Sequence, residues 1–308
     1  MKRVLTFLAV VIFAAACAGN KNILNTKMAK YPASKYITKI ASADKKAAAK
    51  EAAAADLKAI FNGLPPYESS DIRRAGILSQ VKAVEWWKDK ASGKYYAVAA
   101  LQRAGAQETM APYYGPIDGK LGALKQRIET APDKYSRLRA AMDMEPLLKQ
   151  REQLDSEYKI LAFDASAYEE DELYAFKAAY NKAFYDIKFN AVITGVDDEA
   201  VKTLLIDSLN SMGFYVGEGL TNYDVELQIK TGVDKYPSKT TDGLFWCTGT
   251  AVIALKDMQT QGIFATFTQY ERIGASRAEE AQRRSLLAVG ANSAPVIKQK
   301  LLEYVNKK

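Results

Sequence analysis

The chain is 308 residues long, 48% hydrophobic and 26% charged, with a formal net charge of +7, two cysteines and no histidine. That length supports one large core or two modest ones, and the mild positive excess is dispersed rather than gathered into the basic face that nucleic-acid binding requires. Lack of histidine removes the commonest general base, metal ligand and triad partner together, so a non-enzymatic protein is expected, with no metal or other cofactor.

The chain opens MKRVLTFLAVVIFAAACAGN. Lys2 and Arg3 precede an uncharged run from Val4 to Ala16. A bilayer-spanning helix needs about 20 apolar residues, more than this run supplies. Charged, apolar and small-residue parts in that order form a secretory signal. Phe13-Ala14-Ala15-Ala16-Cys17 resembles a bacterial lipobox, with Ala14 where leucine is more usual. The resemblance implies a diacylglyceride on the Cys17 sulfur, removal of residues 1–16, and acylation of the new amino terminus by a chain such as palmitate. Each buried CH2 contributes about 0.8 kcal/mol, so two or three chains anchor well. Losing Lys2 and Arg3 lowers the charge from +7 to +5. The alternative is a plain cleaved signal followed by an incidental cysteine. Ala18 stands where an inner-membrane retention signal shows Asp, which points to the outer membrane. No acidic run follows Cys17, which favours the periplasmic face over the cell surface. No later apolar run is long enough to span a membrane.

Residues 17–30 read as a polar, irregular tether, and a first folded module is expected over 31–115. It opens at Tyr31-Pro32. Ser42-Ala43-Asp44 is placed to cap an Ala-rich helix reaching Phe61, with Leu57, Ile60 and Phe61 on one face. Asn62-Gly63 and Pro65-Pro66 end it. A hairpin follows: Ile77 to Trp87, a turn around Ser92-Gly93, then Tyr95 to Leu101, rich in β-branched and aromatic residues.

The order YPASKYITKIASADKKAAAKEAAAADLKAIF, then VEWWKDKASGKYYAVAALQR, resembles the Lpp-twenty (twenty-kilodalton) family of bacterial outer-membrane lipoproteins. The match covers about residues 30–110. Lys39-Ile40-Ala41-Ser42-Ala43 replaces that family's glycine-rich segment. The resemblance implies an envelope lipoprotein, flagellum-associated in some members, and brings no catalytic motif.

Residues 116–186 read as a helical connector. Leu121, Leu124 and Ile128 share a face, Pro132 and Pro146 interrupt, and Leu173, Phe176, Tyr180 and Phe184 form a stripe after the capping box at Ser166–Glu169. Residues 187–308 read as a second module. Strands are expected at 187–193, 225–229, 244–255 and 263–270, with a helix from Asp197 to Met212 stopped by Gly213. A last helical region from Ser276 is divided by Gly290 and Pro295. The whole is α+β: two small antiparallel-sheet and helix modules joined by a helical segment.

Trp86, Trp87, Tyr95 and Tyr96 are the candidate contacts for a glycan or protein partner. Neighbours on a strand face opposite ways, so one of each pair belongs to any given surface and the other suits a core. Glu169–Glu172 and Asp197–Glu199 are acidic runs in first helical turns, where they favour the helix dipole. They lack the ligand spacing of a calcium loop. Cys247, on the face Phe245-Cys247-Gly249-Ala251-Ile253-Leu255, fits as a small inert core residue. Gly217-Glu218-Gly219 lacks the rest of a phosphate loop. Arg73-Arg74 and Arg283-Arg284 read as solvated charges. The functional expectation is a periplasm-facing outer-membrane lipoprotein held to the membrane through Cys17. It would serve a structural or assembly role with an envelope protein partner; the alternative is a peptidoglycan or glycan binder.

Overall fold

The computed structural model describes residues 18–63, 70–163, 171–196, 198–235, 240–241 and 243–308. They fall into two compact units, one made of 18–116 with 150–163, the other of 117–149 with 171–308. The class is α+β.

The first unit begins with helix α1 (Ala18–Met28), where an irregular tether was expected. Leu24, Lys27 and Met28 are half-buried at spacings of three and four, and that face makes the segment helical. Strand β1 (Tyr36–Ala43) takes up Ser42 and Ala43, the expected helix cap. Helix α2 (Lys46–Asn62) starts two residues beyond Asp44, with Lys45 as an N-cap whose side chain makes no capping bond. Its buried stripe is Ala49, Ala53, Leu57 and Phe61, one residue per turn. Burying Leu57 and Phe61 stabilises by about 1.5–3 kcal/mol each.

Helix α3 (Ser70–Leu78) replaces the first part of the expected hairpin strand. Arg73, Arg74 and Ile77 are buried together at helical spacing, and the β-branched pattern begins only at Val81. Strands β2 (Lys82–Lys88) and β3 (Tyr95–Gln102) then form the hairpin. Its turn is held by Asp89, which accepts from the Ser92 N–H at 3.0 Å, and by Gly93 at φ +70°. The sheet order is β1-β3-β2, antiparallel throughout, and α2 packs on β1 and β3. Central β3 is buried from Ala97 to Leu101.

Helices α4 (Arg103–Thr130) and α5 (Lys134–Leu161) each contribute to both units. α4 starts earlier than its apolar spacing suggested, because Gly105, Pro112, Gly115 and Pro116 obscure the pattern. Pro132 lies between the two helices, as expected, whereas α5 continues through Pro146. A proline inside a helix costs about 3 kcal/mol; the buried face of Leu138, Ala141, Met144 and Leu148 offsets it.

In the second unit, α6 (Asp171–Tyr185) buries Leu173, Phe176 and Phe184 from the expected stripe. The capping box before it lies outside the described residues. Next come β4 (Lys188–Gly195), α7 (Asp198–Ser211), β5 (Tyr215–Gly217), β6 (Val225–Lys235), β7 (Phe245–Asp257), β8 (Ile263–Ala275) and α8 (Ala278–Lys307). The sheet order is β5-β4-β6-β7-β8. It is mixed rather than wholly antiparallel: β4 runs parallel to β5 and β6, and only β6-β7-β8 is antiparallel. The β4-α7-β5 crossover requires that parallel start.

α8 is continuous through Gly290 and Pro295, against the expected division. Its buried stripe runs from Ala281 through Leu286, Val289, Ala294, Ile297 and Leu301 to Val305, and one uninterrupted face packs on β7 and β8. Gly249 on β7 permits the approach, since a Cβ there would lie 2.7 Å from the Ser285 carbonyl carbon.

Candidate functional site

Cys17 lies outside the described residues. One residue later α1 begins, and its basic end is held by the hairpin. Lys27 and Lys30 donate to the two oxygens of Glu85 on β2, at 2.6 and 2.9 Å. Those two hydrogen bonds hold the Glu85 carboxyl below its ordinary value.

The four aromatics of the hairpin separate onto two faces. Trp87 pairs directly with Tyr96, and their rings stack at 5.3 Å and 10°. Trp87 is buried, at 8% exposed. Trp86 points the other way, 41% exposed, with Tyr95 beside it at 6.3 Å and tilted 40°. The Lys46 ammonium sits 3.5 Å from the centre of the Trp86 ring, a cation–π contact covering one face of the indole. Trp86 is therefore the exposed indole of the hairpin, with Lys46 against one of its faces.

The remaining candidates are accounted for by local packing. Cys247 is buried at 1% exposure, its thiol 3.7 Å from the Ala278 carbonyl. Glu169, Glu170 and Asp197 lie outside the described residues. Glu199 pairs with Lys202 at 2.5 Å, and Lys202 also reaches Glu218 at 3.0 Å. Among the described residues, no three His, Cys, Asp or Glu side chains come together as a metal site needs. Arg284 is an exposed partner of Glu280. Arg73 and Arg74, expected in solvent, are instead buried on Glu157, because α3 turns them inward. In the same unit Arg103 donates to the Ile160, Leu161 and Ala162 carbonyls at 3.2, 2.7 and 3.0 Å, capping the end of α5.

Sequence reasoning missed a second cluster, in the other unit. Asp257, the last residue of β7, is fully buried. It accepts from the Tyr304 hydroxyl at 2.5 Å, the Lys308 ammonium at 2.8 Å, the Gln259 N–H at 2.8 Å and the Tyr135 hydroxyl at 3.3 Å. Burial alone would raise its pKa. The Lys308, Tyr304 and Gln259 donors outweigh burial and bring the carboxyl down to about 2. Burial, then the Asp257 carboxylate, pushes the Tyr135 hydroxyl well above its ordinary value. Nearby, Lys134 donates to both oxygens of Asp224 at 2.9 Å, and Asp133 caps α5 through Ser136. These groups border a cavity of about 400 Å3 lined by Asp133, Lys134, Tyr135, Tyr223, Asp224 and Asp257 with Met258 and Gln259. Asp257 and Asp224 each already hold a cation, so the cluster clamps the start of α5 and the end of α8 to the end of β7. One signal for it was legible: Asp257 continues the inward-facing parity of Cys247 to Leu255.

No family model and no curated protein matches the chain. Solved structures show slight likeness. A secreted protein from Helicobacter pylori is 14% identical, with 87% of this chain and 98% of that one covered at a TM-score of 0.35. The rare lipoprotein B from Shewanella oneidensis is 11% identical, with 38% and 95% covered at 0.27. Lipoprotein GNA1162 from Neisseria meningitidis is 16% identical, with 37% and 96% covered at 0.24. Superpositions this loose carry no argument about function. Among the described residues no helix is long and apolar enough to cross a membrane.

Proposed function

We propose that this chain is a bacterial outer-membrane lipoprotein of the Lpp-twenty kind, anchored by lipid on Cys17 and facing the periplasm. Its role is structural or assembly work in the cell envelope through protein contacts rather than catalysis. The observation that carries this reading is the lipobox-like end of an apolar run at Cys17, next to a helix gripped by the fold through Glu85. Lipid at Cys17 would confine the protein to a thin layer and raise its effective concentration for partners there.

The test compares wild type with Cys17→Ser by intact mass and membrane fractionation. A wild-type mass showing loss of residues 1–16 and added lipid, absent from the variant, supports the anchor. An unmodified Cys17 in a freely soluble product overturns it.

A second reading, a peptidoglycan or glycan binder, is favoured by the exposed Trp86. The Lys46 ammonium lies against one of its faces. Sedimentation with purified peptidoglycan decides: retention lost in Trp86→Ala supports it, and wild type that stays in solution removes it.

A further inference from the structure

The five-stranded sheet has two unlike edges. At one, β5 spans three residues, too few to offer a partner much pairing. At the other, β8 runs for 13 residues. It contains neither proline nor lysine, two of the residues that commonly blunt an edge, and its charges are confined to the adjacent Glu271 and Arg272. Its register shift falls at the start, opposite Leu255 and Lys256. From Ala265 to Ala275 it is therefore a regular row whose outer backbone groups face away from β7. In the three-stranded sheet, edge strand β2 carries two lysines and a glutamate and has an irregular register between Ala83 and Glu85.

Side-chain burial shows the same incompleteness. Under α8, the inward residues of β7, Cys247, Ala251, Ile253 and Leu255, are all buried. Their cross-strand partners on β8, Ile273, Gln269, Phe267 and Ala265, are only half-buried. The layer stops one strand short of covering its own apolar face.

We propose that the outer edge of β8 pairs antiparallel with β8 of a second copy of this chain, about a two-fold axis through Tyr270. This register overlaps Ala265–Ala275 fully with itself. Residues of equal parity meet across it, so both helix-covered faces stay on one side of the joined sheet. Phe267 then lies opposite the second copy's Ile273, Gln269 opposite its Glu271, and Thr268 opposite its Arg272. The two Tyr270 rings, 69% exposed in the single chain, become direct neighbours. No charge faces a like charge, and aromatic and β-branched pairs of this kind stabilise cross-strand contacts. Moving the axis to Gln269 would set Phe267 against Glu271. This self-complementarity favours a second copy over an extended segment of another protein.

The test uses the full chain in detergent. Its mass is followed by detergent-corrected light scattering across concentrations, and thiol cross-linking is measured in Tyr270→Cys and Thr266→Cys, with wild type reporting the background from Cys17 and Cys247. A two-chain mass with strong cross-linking of Tyr270→Cys alone is expected, since the two copies of residue 266 would be about 25 Å apart along the strands. A one-chain mass at every concentration overturns the pairing, leaving the edge to another protein or to none. So does a dimer in which Tyr270→Cys cross-links no better than Thr266→Cys.

Discussion

The Arg73 guanidinium on α3 meets the Glu157 carboxylate on α5 at 2.6 Å across 84 residues of chain, and both side chains are 1% exposed. Arg74 holds the other carboxylate oxygen at 2.8 Å. Removing one member of a buried pair strands the charge it leaves behind, at a cost of about 3–5 kcal/mol. Glu157→Ala is therefore expected to destabilise the first unit by that amount in urea melts. A loss below about 1 kcal/mol would mean that water reaches the guanidinium groups.

Asp257 sets a pH dependence. Its folded value, about 2, lies below the ordinary value of 3.8. The stabilisation is therefore complete above about pH 4 and is lost as the pH falls toward 2. Asp257→Asn is expected to cost about 2 kcal/mol at pH 7, the scale of hydrogen bonds to a charged group. The gap between wild type and variant should narrow on acidification through that window. A gap unchanged between pH 7 and pH 2.5 would contradict the assignment.

Gly249→Ala probes the seat of α8 on β7. The new methyl carbon would meet helix backbone at 2.7 Å from the Ser285 carbonyl carbon and 2.9 Å from the Leu286 nitrogen. A backbone contact yields only by shifting the whole helix, so a loss of about 1–3 kcal/mol is expected in thermal or urea unfolding.

The two indoles of the hairpin should separate in stability as they do in exposure. Trp87→Ala removes a buried ring stacked on Tyr96, and about 3–5 kcal/mol is expected to be lost. Trp86→Ala removes a half-exposed ring and its contact with Lys46, worth about 1 kcal/mol or less. Equal losses would show that both faces of the sheet are buried in solution.

The sequence was most legible where one residue's environment is set by its near neighbours. The α6 stripe of Leu173, Phe176 and Phe184, the Ser92-Gly93 turn, the Gly213 stop and the inward face around Cys247 all follow from local periodicity or backbone preference. At the candidate site, alternation along a strand requires Trp86 and Trp87 to face opposite ways. It does not say which of them is buried. Pro146, Gly290 and Pro295 misled for a related reason: a local breaker yields when the surrounding face is buried deeply enough.

What the sequence by itself determined is the α+β class, most element positions, and the apolar run ending at Cys17. These rest on period, composition and short-range geometry. The tertiary structure alone decided that β4 runs parallel to its neighbours, that Arg73 and Arg74 turn inward to Glu157, and that Asp257 gathers Tyr135, Tyr304 and Lys308. A strand's alternation records which face is buried, not which strand lies beside it. A charge likewise carries no record of a counter-ion that is distant in the chain and reaches it only once the core has formed.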